Sequence, residues 1–202
     1  MKEYPSIQSW PGTTQHNVYV FGKYDGSNVR CEFDNKGNII KFGKRHGLLD
    51  DQTPFLIKSK QLIIDKYLDN LAKIIKDNRF QKATCYFEFY GPNSFAGYHV
   101  DEQHTVMLFD IDIYKKGLME PKEFLKLFKN LEIPEVLHYG NFNQEIAEQI
   151  SNGTLANMPF EGVVCKGPLD KKTGRPLMFK YKNLAWLNKL KENRPTEFES
   201  LK

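Results

Sequence analysis

The sequence contains no apolar run of membrane-spanning length, and its first residues, Met1–Pro5, lack the apolar core of a secretory signal. No internal repeat divides its 202 residues, and there is no linker rich in proline, glycine or serine. We therefore expect a soluble, intracellular protein of the cytoplasm, built as one domain over 1–202 and without a membrane partner.

Cysteine is also scarce. The three cysteines, Cys31, Cys85 and Cys165, are widely spaced and form no Cys-x-x-Cys pair, which indicates neither a zinc site nor a disulfide framework. Each lies in an apolar, strand-like run and is predicted to be a small core residue. Neither sign of charge dominates: 29 lysines and arginines against 25 acidic residues give a net charge of +4. This excess permits a polyanionic partner without requiring one.

Short runs rich in β-branched and aromatic residues predict seven strands. They are 17–23, 29–33, 39–43, 84–90, 106–114, 162–166 and 177–181, with a hairpin turn at 35–38. Helical spacing predicts helices over 61–76, from Pro121 to Leu131, from an Asn143 cap to Ile150, and over 184–192. Strands grouped around a few helices predict an α+β fold rather than a regular βαβ alternation.

The segment around Lys23 carries the strongest chemical signal. Lys23 follows the apolar run 18–21, precedes Asp25 and is flanked by Gly22 and Gly26, which would let the backbone approach a nucleotide. A lysine attacks phosphorus only when it is neutral, a state that burial or neighbouring cations favour. The pattern Lys-x-Asp-Gly is weak alone, because a surface lysine before an Asp-Gly turn produces it too.

Four further segments follow in order along the chain. They are Lys44-Arg45-His46-Gly47, Phe87-Glu88-Phe89-Tyr90-Gly91, Glu161-Gly162-Val163-Val164 and Phe179-Lys180-Tyr181-Lys182. Alternate residues of a strand face opposite ways, so Glu88 should point away from the core, and Lys180 and Lys182 should share one face. An acid among aromatics needs a specific partner, and two adjacent cations need an anion between them. The alternatives are an ion pair of Glu88 with a core arginine, a plain basic turn at Arg45, and an edge strand protected by lysines.

In this order the five segments resemble the covalent nucleotidyltransferases, the superfamily of ATP-dependent RNA ligases, DNA ligases and messenger-RNA capping enzymes. The RNA ligase branch is the most similar, and the resemblance covers about residues 4–183. It implies a nucleotidyltransferase domain of antiparallel sheets with flanking helices around a nucleotide cleft. We expect neither the OB-fold domain of DNA ligases and capping enzymes nor the C-terminal helical domain of many RNA ligases. The chain would then act as a monomer, or with a partner protein in place of the helical domain.

The resemblance implies a role for each matching residue. Lys23 would be the nucleophile that takes AMP from ATP, assisted by Lys180 and Lys182, and Glu161 would bind Mg²⁺ or Mn²⁺. The residues implied to bind the nucleotide are Glu88 at the ribose, Phe109 at the adenine, and Asp25, Gly26, Asn28, Arg45, Glu161, Lys166, Lys180 and Lys182.

The implied activity is the ATP-dependent joining of RNA ends, one with a 5′-phosphate and one with a 3′-hydroxyl, as in RNA repair. It would proceed through AMP on Lys23 and an adenylylated 5′ end, on single strands or a nicked duplex. The alternatives are a minimal DNA nick ligase, a catalytically silent nucleic-acid-binding module of the same fold, and an enzyme that only adenylylates 5′ ends. Against the silent module, every matched reactive position holds a competent residue.

Overall fold

The computed structural model describes residues 1–14, 16–50, 53–92, 94, 102–170 and 174–199. The fold is α+β, as predicted. Its elements in chain order are β1 (Gln8–Ser9), β2 (Asn17–Lys23), β3 (Gly26–Asp34), β4 (Ile39–Lys44), α1 (Pro54–Asp77), β5 (Lys82–Tyr90), β6 (Thr105–Ile113), β7 (Gly117–Leu118), α2 (Pro121–Phe128), β8 (Val136–Asn141), α3 (Gln144–Ser151), β9 (Gly162–Leu169), β10 (Pro176–Lys182), α4 (Leu184–Asn193) and α5 (Pro195–Glu199). Contacts within the chain divide it into two compact units, each built on one sheet.

The first unit comprises Met1–Pro5, Gly26–Gly91 and Gln103–Ile133. Its antiparallel sheet has the order β4-β3-β5-β6-β7. One face of this sheet packs against the apolar sides of α1 and α2. The fully buried residues of this core include Cys31, Phe33, Ile63, Leu71, Ile75, Cys85, Phe87, Leu108, Ile111 and Phe128.

The second unit comprises Ser6–Asp25, Pro92–Glu102 and Pro134–Lys202. Its sheet has the order β1-β10-β9-β2-β8, in which the short β1 pairs parallel to β10 and the other pairs are antiparallel. One face packs against α3, and α4 adds a small cluster around Trp186 and Leu190. The core of this sheet consists of Val18, Val20, Phe142, Ala147, Ile150, Val163, Cys165 and Phe179.

All seven predicted strands are present, and the three cysteines are buried and unpaired, as expected. The predicted cap is also present, because the Asn143 side chain accepts a hydrogen bond from the backbone N–H of Ile146. The hairpin turn lies where predicted, with Gly37 at a φ of +78°. Among the described residues, no helix is long and apolar enough to span a membrane.

Strands β1 and β7 and helix α5 are not predicted from the sequence. Three other elements also differ from the prediction. Helix α1 begins about two turns earlier than predicted, with Pro54 in its first turn, where a missing N–H costs nothing. Helix α2 ends at Phe128, one turn before Leu131. Strand β8 is not predicted because Leu137 is an extra residue opposite the Val20–Phe21 step of β2, which interrupts the alternating pattern.

Tyr67 offers a test of the first unit's core. Its buried hydroxyl donates to the carbonyl of Glu132 (2.8 Å) and accepts from the N–H of Leu108 (3.3 Å). We expect Tyr67→Phe to lower the free energy of unfolding by about 1–3 kcal/mol, because the carbonyl of Glu132 and the N–H of Leu108 both lose their hydrogen bond to the hydroxyl. Urea denaturation measures this. The exposed Tyr114 supplies the control, and an equal loss in Tyr114→Phe would contradict the assignment.

Candidate active site

The second unit aligns two predicted catalytic lysines across three strands. Lys23 at the end of β2 is the register partner of Gly162 at the start of β9. On the other side of β9, Lys182 at the end of β10 is paired with the same glycine. Because paired residues of neighbouring strands share a face, the two lysines flank a position that has no side chain. This row brings together residues that are 159 positions apart in the sequence.

Glu161 links the two ammonium groups. Its Oε2 accepts a hydrogen bond from Lys23 Nζ at 2.8 Å, and its Oε1 lies 3.2 Å from Lys182 Nζ. Glu161 is buried, and Lys23 and Lys182 are largely so. A carboxylate placed between two cations offsets their repulsion and satisfies its own charge. The sequence predicts an anion between Lys180 and Lys182. In the structure the anion is Glu161, and it lies between Lys23 and Lys182.

Burial and charge act in opposite directions on Lys182. Loss of solvation is the largest effect and lowers the pKa of Lys182 to about 8, with a further contribution from the charge of Lys23. The carboxylate of Glu161 opposes this shift. A cation of this kind gives up its proton far more readily than a solvated lysine does.

Gly162 is required by the backbone at this point. Its φ is +133°, and a Cβ there would lie 2.3 Å from the carbonyl oxygen of Tyr181 and 2.9 Å from the Cα of Lys182. Any side chain would therefore push β10 away from β9. The glycine of the Glu-Gly-Val-Val segment keeps Lys182 within reach of Glu161.

The predicted alternation of β10 is confirmed. Phe179 is buried in the core, and Tyr181 packs against it. Lys180 and Lys182 are therefore on the opposite face, which they share with Lys166. The lysines do not protect a sheet edge, because β1 pairs with β10 at Phe179 and Lys180. Lys166 is buried, with its Nζ 5.4 Å from the ring centroid of Phe21.

Two residues that the sequence analysis did not assign to the site hold Lys182. The Lys182 Nζ lies 3.8 Å from the ring centroid of Trp186, a cation–π contact. Trp186 is also buried in the small core cluster with Leu190. Asn183 caps α4 by accepting from the N–H of Ala185, and its own N–H donates to the carbonyl of Glu161. No sequence motif reveals this arrangement, because it depends on α4 beginning directly after β10.

Asp25 and the two glycines of the lysine segment are tightly packed. Asp25 is buried. A Cβ on Gly22 would lie 2.7 Å from the ring of Pro159, and one on Gly26 would lie 2.4 Å from the carbonyl oxygen of Phe89. From the sequence, these glycines are predicted to allow the close approach of a nucleotide. The structure gives another reason, since protein atoms fill the space beside each of them.

In the first unit, Asn28 and Glu88 are direct cross-strand partners on β3 and β5. They lie on the face opposite the core, as predicted for Glu88, while Phe87 and Phe89 are buried in the core. The Asn28 Oδ1 is buried and accepts no hydrogen bond from any residue that the structure describes. A buried acceptor without a donor is costly, so this atom favours a ligand that brings a hydroxyl or amino group.

Phe109 lies at a β-bulge. Tyr86 pairs with Asp110 and Phe87 pairs with Leu108, which leaves Phe109 as the extra residue of β6. The bulge turns its ring to the face opposite the core, where it packs edge-on against Tyr4 with ring centroids 5.0 Å apart. The Tyr4 hydroxyl donates to Asp110 at 2.8 Å. Burial and the Asp110 charge raise the pKa of Tyr4 well above its ordinary value.

Arg45 is exposed, in the turn that follows β4. The turn itself is held by Glu3, whose Oε1 accepts from the N–H of Gly47 at 3.2 Å and whose Oε2 lies 3.0 Å from His46 Nδ1. These two hydrogen bonds lower the pKa of Glu3. The buried Arg30 donates to the Gly47 carbonyl on the same turn. Residues 3 and 4 thus hold two predicted nucleotide-binding residues in place, which the sequence analysis did not anticipate.

A sequence profile of the family described as RNA ligase matches residues 16–182, which include every predicted site residue. The chain belongs to the RNA ligase family. No curated protein sequence matches it.

Solved structures of RNA ligases have the same fold as this chain. An RNA ligase mutant of Naegleria gruberi, solved with AMP and Mn, has a TM-score of 0.64 and 18% identity over 94% of this chain and 58% of that one. The same ligase, solved with PPi, has a TM-score of 0.63 and 19% identity over 96% of this chain and 59% of that one. An archaeal ATP-dependent RNA ligase has a TM-score of 0.58 and 18% identity over 91% of this chain and 48% of that one. The chain spans about half to three fifths of the length of these proteins.

The candidate site has few groups that could hold a divalent metal ion. Within the described part of the chain, no three His, Cys, Asp or Glu residues are grouped so that they could hold a metal. Mg²⁺ is often bound through one or two carboxylates, water and the phosphates of a substrate rather than by a cage of protein ligands. Glu161 fits that mode as a single buried carboxylate. A metal ion would compete with Lys23 and Lys182 for its two oxygens.

Gly162→Ala tests the backbone requirement. We expect a loss of roughly 2–4 kcal/mol in the free energy of unfolding, because the new Cβ meets the backbone of β10. Gly117→Ala is the matched control, since Gly117 also has a positive φ (+89°) but open space beside it. Chemical denaturation of both variants compares the two effects. Equal losses would show that φ alone, rather than the packing of β10, requires the glycine.

The lowered pKa of Lys182 predicts a signed pH dependence of stability. Below pH 8 the folded and unfolded chains both hold the proton, and its burial opposes folding. Between about 8 and the ordinary value of 10.5 the folded chain releases it first, so stability should rise with pH. We expect the unfolding free energy of the wild type to increase from pH 7 to 9.5 relative to Lys182→Met. A difference that does not change with pH would contradict the shift.

Proposed function

We propose that this chain is an ATP-dependent RNA ligase that joins a 5′-phosphate and a 3′-hydroxyl end through a lysyl-AMP intermediate on Lys23. The observation that carries the proposal is the row of Lys23, Gly162 and Lys182 with Glu161 bridging the two ammonium groups. This cluster places a nucleophile and a second cation each within hydrogen-bond distance of one carboxylate. Membership of the RNA ligase family supports the same conclusion.

In the first step, the neutral amine of Lys23 forms a bond to the α-phosphorus of ATP, and the bond from that phosphorus to the pyrophosphate oxygen breaks. The lysine must lose a proton before it attacks. Lys182, held against Trp186, supplies positive charge next to the developing negative charge on phosphate.

In the second step, the 5′-phosphate of RNA attacks the phosphorus of lysyl-AMP and Lys23 leaves, which produces an adenylylated 5′ end. In the third step, a 3′-hydroxyl attacks the 5′-phosphate, the phosphodiester bond forms and AMP is released. Neither step needs further covalent chemistry from the protein. Positioning and charge stabilisation are sufficient for phosphoryl transfer of this kind.

The match to the RNA ligase family leads us to assign recognition of the nucleotide to Asn28, Glu88, Phe109 and Arg45. The unpaired Asn28 Oδ1 and its cross-strand partner Glu88 can accept hydrogen bonds from ribose hydroxyls or an amino group. The ring of Phe109, turned away from the core, would stack on adenine. Arg45 is exposed on its turn and could bind phosphate or ribose through its planar guanidinium.

A divalent cation, Mg²⁺ or Mn²⁺, would be held by Glu161 together with phosphate oxygens of the nucleotide. When bound, it neutralises phosphate charge. Structures of the Naegleria gruberi RNA ligase with ATP and Mn, with AMP and Mn, and with PPi support this choice of nucleotide and metal.

Incubation with α-labelled ATP and Mg²⁺, followed by denaturation, tests the first step. We expect label on the wild-type chain and none on Lys23→Ala, because only a nucleophile at this position forms the covalent bond. Lys73→Ala is the matched control, since Lys73 is an exposed lysine on α1 that pairs with Asp77, and it should be labelled like the wild type. Folded wild-type protein that takes no label from ATP, GTP or NAD would overturn the proposal.

Comparison of substrates separates the remaining alternatives. A nicked RNA duplex and a nicked DNA duplex, offered to the labelled enzyme, distinguish an RNA ligase from a minimal DNA nick ligase. We expect sealed RNA in excess over sealed DNA. Adenylylated 5′ ends without joined product would instead assign the chain to 5′-end adenylylation alone.

A further inference from the structure

A row of aromatic side chains leads away from Lys23 along the face of the second sheet that carries the catalytic lysines. Phe21 and Tyr19 precede Lys23 at alternate positions of β2, so all three share this face. Tyr139 on β8 is the register partner of Tyr19 and extends the row by one ring. The ring centroids of Tyr139 and Tyr19 lie 4.4 Å apart, and those of Tyr19 and Phe21 lie 6.3 Å apart.

The two ends of this row differ in exposure. Phe21 is buried, whereas Tyr139 is 57% exposed and is one of the most exposed large hydrophobic side chains in the described part of the chain. The bulge at Leu137 creates this arrangement, because it turns Leu137 and His138 towards the core face and leaves Tyr139 on the opposite one. Burial raises the pKa of Tyr19, and contact with Tyr139 adds to this shift.

Positive charge accompanies the row. Lys166 is the cross-strand partner of Tyr19 on β9, and its Nζ lies over the ring of Phe21. Single-stranded nucleic acids are bound by this combination, in which bases stack on aromatic rings and cations follow the phosphates. At about 3.3 Å per residue, Tyr19 lies roughly 13 Å along β2 from Lys23, a distance that a short stretch of single strand covers.

We propose that Tyr139 and Tyr19 form a stacking subsite for a base of the RNA strand whose end reacts at Lys23. This inference rests on the proposed function and adds the place where the polynucleotide substrate binds. Exposed Tyr139 receives the base and Tyr19 supports its ring from below. The buried Lys166 adds positive charge beneath the row. Because every base has a π-face, the subsite binds RNA without regard to sequence.

Binding of a 5′-phosphorylated single-stranded RNA oligonucleotide, measured by fluorescence anisotropy, tests the subsite. We expect Tyr139→Ala to weaken binding about tenfold, within the range that alanine substitution at stacking residues produces. Tyr139→Phe keeps the ring and should bind like the wild type. Tyr114→Ala is the matched control, because Tyr114 is also exposed and has the ammonium groups of Lys82 and Lys115 near its ring.

Labelling by ATP separates the failure of the subsite from the failure of the proposed function. We expect Tyr139→Ala to take up label from α-labelled ATP at the wild-type rate, since no RNA takes part in that step. The subsite would be overturned if Tyr139→Ala bound RNA as tightly as the wild type, or if Tyr114→Ala lost as much RNA affinity as Tyr139→Ala. Labelling of the wild type would still support the proposed ligase activity in either case. Slower labelling of Tyr139→Ala would also overturn it, since the ring would then serve ATP. Thermal unfolding confirms that each variant is folded.

Discussion

The carboxylate of Glu161 is the constraint on which the candidate site depends. It accepts from Lys23 on one oxygen and lies against Lys182 on the other, and without it two largely buried cations would face each other across a glycine. Everything around it keeps this contact short. Gly162 allows β10 to approach, Asn183 ties the Glu161 carbonyl to the start of α4, and Trp186 lies against the second ammonium. The site is therefore a property of how three strands and one helix meet, more than of any single motif.

The first unit shows a different kind of constraint, a buried polar face. Arg30, Glu32, Asp110 and Asp112 are all buried on the side of the sheet opposite the core. The segment at residues 2–4 supplies many of their partners: Lys2 to Asp112, Glu3 to Arg30, and Tyr4 to Asp110. Charges removed from water need such partners, and removal of one side of a pair is costly. The same few residues hold the Arg45 turn and the Phe109 ring, so this face couples folding to the geometry of two predicted nucleotide contacts.

Much of the site could be predicted because it follows from alternation within single strands. The shared face of Lys180 and Lys182, the outward position of Glu88 and the burial of Phe179 need only a period of two. The contacts that were missed join distant parts of the chain or break that period. Trp186 reaches Lys182 because a helix begins where the strand ends, and Tyr4 reaches Phe109 across 105 positions. β8 escaped prediction because its bulge at Leu137 disrupts the alternation that identifies a strand.

The bulge at Phe109 means that the core of the first unit does not need this residue. Leu108 and Ile111 both face the core, three residues apart, which is possible only because one residue between them is surplus to the strand pairing. A chain one residue shorter here would pair Tyr86 and Phe87 with two consecutive residues and keep the same apolar side inward. The sheet would thus close without Phe109. Its ring adds nothing to the packing of the core and lies on the opposite face, near Tyr4 and Tyr86.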